Sequence, residues 1–283
     1  MRIDFEVDEQ LIQDREIVVT DLNSELWAMY RSACGMIWDE INIIWNELQG
    51  STPEDVNFED IFENLCEKLT HQMSFYDASY LALPYLLKLY DKKVEKQDFE
   101  WQLRLLCAMG MIVMTDISGL HDSDRVAPEL VKNFQNCAVV LAEKTKKFIV
   151  KYQDLLAELD DNTKSYFYVM ALAILDDRRA AYVLTSCCFS EIYAVCDECD
   201  MWNEEMAMIS DEEIEEIEPA KPAIGHWDGK SLADTYQWYS NFLYILGDEE
   251  AAKALSYYYG VYTCPECGKK GVAMEFAKRY FEL

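Results

Sequence analysis

The sequence predicts a mainly α-helical protein, an array of helical hairpins with a small α+β segment at its C-terminal end. Three observations carry that prediction. Apolar residues recur at three- and four-residue spacing from Asp21 almost to residue 186. No convincing strand pattern separates the helices over that length. From residue 189 the character changes, and β-branched and aromatic residues flank two Cys-x-x-Cys turns, Cys196 with Cys199 and Cys264 with Cys267. The chain therefore divides into a helical body over 1–188 and a C-terminal segment over 189–283.

Taken in order, RIDFEV and REIVV alternate as a short strand or an irregular arm would. The stretch DLNSELWAMYRSACGMIWDEINIIWNELQG opens on capping residues and stops at Gly50, so it reads as helix. TPEDVNFEDIFENLCEKL puts Pro53 and carboxylates at the start of the next helix, where the peptide dipole favours them. In LTHQMSFYDASYLALPYLLKLYDKK, Pro84 lies inside an apolar helical run and should kink it or begin a new helix. DFEWQLRLLCAMGMIVMTDIS follows, then a long amphipathic stretch with Pro128 in its first turn, then NTKSYFYVMALAILDD and RRAAYVLTSCC as a shorter pair. In the last third, FSEIYAVCDECDMWNEEMAMI and YYYGVYTCPECGKKGVAMEFA each read as a hairpin with the cysteines at its tip. They bracket a loop and a helical pair.

The helices come in pairs of the size found in α-solenoids. Within HQMSFYDASYLALPYLLKL, the residues His71, Gln72, Tyr76, Ala78, Ala82, Leu83, Pro84 and Leu86 form a recognisable run. It resembles one in bacterial HEAT-repeat-like proteins, and the order of elements from about residue 60 onward is more loosely similar. The resemblance implies a HEAT-like body and, since some such proteins accompany toxin systems, an immunity protein.

Charge bounds the function. With 53 acidic against 25 basic residues the formal net charge is -28, a field that repels phosphate backbones and anionic membranes and attracts basic proteins. Nucleic-acid and membrane partners are disfavoured, and the one basic cluster, KTKKFIVK, is too small to reverse that. The N-terminus lacks a signal-peptide pattern and no window has the length of a membrane span, so the expected compartment is the cytoplasm. From Cys196 to Glu218 there are many carboxylates and no Lys or Arg. That segment is either a solvated loop or a contact surface for a basic protein partner such as a toxin, with Glu212, Glu213, Glu215, Glu216 and Trp202 as its contact residues. Trp202, Trp227 and Trp238 are either interface anchors or core around the cysteine site.

Of ten cysteines, Cys34, Cys66, Cys107 and Cys137 lie in apolar helical contexts and read as core, and the adjacent Cys187 and Cys188 as packing residues. The remaining four form two C-x-x-C pairs. Each turn supplies two thiolates, and backbone amides after the first cysteine point at sulfur. Gly268 and Asp200 occupy the position that needs a left-handed backbone. Cys196, Cys199, Cys264 and Cys267 therefore predict a structural zinc site; iron fits the same four-sulfur geometry. A redox pair and two unconnected thiol turns are the competing readings, although a redox pair normally precedes a helix. His226 would be a ligand only in place of one of the cysteines.

No phosphate loop, G-x-S-x-G, H-E-x-x-H or dinucleotide fingerprint occurs. His121 sits in a polar turn, and His71 reads as a helix-end cap. The sequence thus favours a non-catalytic protein-binding module. The alternative is an enzyme with a groove site assembled around His71 and Tyr76.

Overall fold

The computed structural model describes residues 2–116, 126–207 and 216–283. Among these it is mainly helical, with twelve α-helices and five short strands. It forms two compact units, Asp8–Thr145 and Met1–Val7 with Lys146–Leu283. The change of character at residue 189 falls inside the second of these.

The Asp8–Thr145 unit contains α1 (Glu9–Asp14), α2 (Leu26–Met29), α3 (Trp38–Gln49), α4 (Phe58–Thr70), α5 (Ser79–Glu95), α6 (Phe99–Thr115) and the first part of α7 (Pro128–Ala157). The stretch from Asp21 to Gly50 is not one helix. The chain leaves α2 at Tyr30 and closes a loop in which the Ser32 amide and hydroxyl both donate to the Gly35 carbonyl, at 2.9 and 2.8 Å. Gly50 does end α3, with a left-handed φ of 70°. Pro53 lies outside α4, whose cap is Asn57, with Glu59 and Asp60 in the first turn. Nor does Pro84 begin a helix: α5 starts at Ser79 and runs through it. Every residue from Ser79 to Leu87 is buried, and that burial offsets the hydrogen bond the proline cannot make. The break falls instead at the 3-10 turn His71–Met73, where Gln72 has φ 53°. α5 packs on α3 and α6, and α4 on the same two helices.

The alternating N-terminal stretches form no strand. Main-chain groups there are satisfied by side-chain amides. Asn133 accepts from the Val18 N–H at 3.0 Å and donates to its carbonyl at 2.7 Å. In the other unit Gln153 does the same to Ile3, at 3.0 and 3.1 Å. Each amide does for one residue what a neighbouring strand would do for several. Asn133→Ala is expected to lower stability by about 1 kcal/mol, because it removes both bonds to Val18, an exposed residue whose main chain water can reach; urea unfolding of the variant measures this.

The second unit takes the end of α7, then α8 (Asp161–Leu175), α9 (Arg178–Cys187), β1 (Glu191–Val195), β2 (Trp202–Ala207) and β3 (Ile217–Glu218). After these come α10 (Thr235–Ile245), α11 (Glu249–Tyr258), β4 (Val261–Thr263), β5 (Lys270–Val272) and α12 (Ala273–Tyr280). α8 pairs with α9 and α10 with α11. β1 and β2 form one antiparallel hairpin, and β3, β4 and β5 a second antiparallel sheet in that order. Small sheets of this kind are marginal alone, and α12 packs on β1 and on α9. Hence the strands belong to a unit with helices.

Trp238 and Trp227 are core: Trp238 is fully buried, donates to Asp176 at 2.7 Å and lies 6.2 Å from the Phe5 ring, and Trp227 lies 5.7 Å from the same ring. Trp202 is different, with 60% of its surface exposed. Part of the acidic excess is structural, since Asp8, Asp98, Asp160, Asp177, Asp234 and Asp248 each cap a helix N-terminus. Cys107, Cys137 and Cys187 are buried as expected, and Cys66 partly so. Cys34 and Cys188 are exposed instead, the first in the loop between α2 and α3, the second at the left-handed C-cap of α9. Among the described residues no helix is long and apolar enough to cross a membrane.

Candidate metal centre

Both C-x-x-C pairs sit at hairpin tips. Cys196 follows β1 and Cys199 precedes β2, while Cys264 follows β4 and Cys267 precedes β5. The first turn closes through the Cys196 amide to the Met201 carbonyl at 3.1 Å, the second through Cys264 to Lys269 at 2.8 Å and Gly268 to Cys264 at 2.9 Å. Asp200 and Gly268 both take left-handed backbone, φ 50° and 74°. A glycine accepts that conformation without cost, and aspartate tolerates it better than most residues. Neither pair precedes a helix directly, so the helix dipole that activates a redox cysteine is missing from both turns.

The hairpins bring the four sulfurs together. Cys196 Sγ lies 3.6 Å from Cys267 Sγ, and Cys199 Sγ 3.6 Å from Cys264 Sγ. All four ligand atoms lie within 4.8 Å of one another. Zinc bound by thiolates at about 2.3 Å needs sulfurs about 3.8 Å apart at the corners of a tetrahedron, so this group is close to the size a four-sulfur metal site requires. Cys196 and Cys264 are each 1% exposed, and Cys199 and Cys267 face the surface. His226 is exposed and stands outside the group.

Electrostatics favour thiolate at one corner. Amide N–H groups of Cys267 and Glu266 donate to Cys264 and bring its pKa down to about 7. Desolvation among the other sulfurs pushes Cys199 up to about 12. This is the unevenness expected when neighbouring thiols share protons that a cation would displace. Ion pairs join the two tips as well. Lys269 of the second hairpin reaches Asp197 at 2.7 Å and Glu198 at 3.0 Å of the first, and Arg279 of α12 reaches Asp197 at 2.7 Å. The sequence reading missed these contacts, because no local pattern links residues so far apart.

The other candidates are placed as follows. His71 ends α4, half-exposed, with Nδ1 paired to Glu67 one turn back. His71 thus stands at the helix end, but its ring pairs with a side-chain carboxylate where the sequence predicts a contact to Gln72 or a backbone carbonyl. Glu216 accepts from Asn203, so its carboxylate lies beside the residue that follows Trp202. Glu212, Glu213, Glu215 and His121 lie outside the described residues. A cleft of about 940 Å³ in the second unit is lined by none of these residues; Cys188, Phe189, Asp248 and Tyr257 are among those that form it. Its Asp248 is engaged as the cap of α11, accepting from Ala251 at 2.9 Å.

Comparison of the chain with protein-family models, with curated proteins and with solved structures found no match in any of the three.

Proposed function

We propose that this chain is a non-catalytic protein-binding module whose C-terminal hairpins are fastened by a structural zinc ion and whose acidic surface receives a basic protein. The observation that carries the reading is the clustering of four cysteine sulfurs within 4.8 Å, beside an indole that is 60% exposed. Four thiolates fill a tetrahedral shell and leave no position for a water, so the metal holds structure and supplies no hydrolytic chemistry. The exposed Trp202 supplies an apolar anchor, and the carboxylates of the segment from Cys196 to Glu218 supply a charged rim. In its most specific form the protein is a cytoplasmic, HEAT-like bacterial immunity protein that occupies the basic groove of a toxin. That form draws on the resemblance of the run from His71 to Leu86 and on the net charge of -28.

Capture from lysate of the source organism at low and at high salt supplies the partner for the test. A basic protein retained at low salt and lost at high salt is the expected result. Changing Glu212, Glu213, Glu215 and Glu216 together to Gln should then weaken its binding about tenfold and flatten the salt dependence, as calorimetry would register. Affinity unchanged by the four substitutions would remove this segment from the contact surface.

A further inference from the structure

Trp202 is not an isolated exposed ring. Its indole meets Tyr280 edge-on at 5.3 Å, and Tyr280 stacks on Tyr193 at 4.8 Å and 23°. Phe281 lies 4.9 Å from Tyr280 and 5.9 Å from Tyr182. None of the five is buried, so they form a continuous aromatic strip at the surface. Three cations near this edge are engaged, Lys269 and Arg279 by Asp197, and Lys278 by Asp177 and Glu275. Its border holds carboxylates, with Glu191 bonded to the Tyr193 hydroxyl at 2.6 Å and Asp200 and Glu282 exposed.

We propose that this strip is the docking surface for an arginine-bearing segment of a basic polypeptide, with guanidinium planes stacked on Trp202 and Tyr280. The proposal rests on the protein-binding reading above and specifies its partner chemistry. Arginine fits better than lysine, since its flat, weakly hydrated cation stacks on aromatic faces while an ammonium holds its water. A second copy of this chain would bring another charge of -28 and be repelled. The four-cysteine centre enters directly. Tyr193 and Trp202 flank the first cysteine turn, and Tyr280 and Phe281 belong to the end of α12, the helix that follows the second hairpin. The packing of α12 on β1 holds the two halves of the strip together, and a metal on the four cysteines would brace the adjoining turns.

Fluorescently labelled nona-arginine and nona-lysine, titrated by anisotropy into the zinc-loaded full chain at physiological and at high salt, provide the test. At high salt the arginine peptide should bind about fivefold more tightly. Trp202→Ala should erase that preference while keeping one zinc per chain, and Trp202→Phe, which retains a ring, should keep most of it. Equal binding of the two peptides by the wild type at high salt overturns the proposal without recourse to any variant. So does a preference that survives in Trp202→Ala. If both peptides bind equally and only through salt-sensitive charge, the strip is excluded and the acidic-surface reading stands; if neither binds at physiological salt, both readings fall. A dimer in sedimentation that Trp202→Ala dissolves would assign the strip to a second copy and overturn the peptide proposal.

Discussion

Cys264→Ser should abolish stoichiometric zinc binding, with affinity falling more than about 100-fold, a range that loss of a mere supporting group already reaches at metal sites. Cys264 is the corner best prepared for a cation, buried at 1% exposure with its pKa brought down to about 7 by the amides of Cys267 and Glu266. Serine offers a hydroxyl that stays protonated. Elemental analysis of the purified chain checks the outcome: one zinc per wild-type chain, and none in the variant. Chelation of the wild type should reproduce the phenotype. The damage should be local, because Lys269 and Arg279 tie the hairpin tips through Asp197 without any metal. Helical circular dichroism should therefore survive, while proteolysis at the exposed cysteine turns accelerates. Loss of the whole helical signal on chelation would contradict this division.

Gly260→Ala is expected to destabilise the second unit by about 1–3 kcal/mol. A Cβ there would sit 2.5 Å from the Glu218 carbonyl oxygen and 2.9 Å from Ile217 Cγ2, against backbone that has no soft end to yield. Gly260 immediately precedes β4, so the collision would push β3 off its partner and disturb the approach to Cys264. Both the unfolding midpoint and zinc affinity should fall. Gly268→Ala is the useful contrast: nothing lies within 4 Å of its Cβ, and only the left-handed φ of 74° resists. Its cost should be about 1–2 kcal/mol and confined to the cysteine turn. Unfolding by denaturant beside a zinc competition titration separates the two effects.

Local chemistry made the four-cysteine cluster legible in the sequence. A C-x-x-C turn needs amides aimed at sulfur and one residue with positive φ, and Asp200 and Gly268 stand at that position in both hairpins. Apolar periodicity likewise located most helices, the run from Asp98 that becomes α6 among them. What escaped were outcomes decided between distant segments. Pro84 reads as a breaker until the burial of α5 on neighbouring helices is known. The stretches holding Ile3 and Val18 read as strand or irregular arm, and the choice is settled by the amides of Gln153 and Asn133, more than a hundred residues away, which bond them. The aromatic strip is another such case, because Tyr193, Trp202 and Tyr280 have no common period and are brought together by the packing of α12 on β1.

The spacing of the cysteines also sets an order of events. Cys196 and Cys267 are 71 residues apart, and the chain between them must form α10, α11 and β4 before the second pair of sulfurs is in place. Closing so long a segment has an entropy cost that local structure must first reduce. In a compact ribbon an ion can nucleate the fold, whereas an ion on these four cysteines would be expected to seal chain that has already collapsed. A nascent chain interrupted before Cys264 holds only two of the four sulfurs, so full coordination would have to wait for the second hairpin.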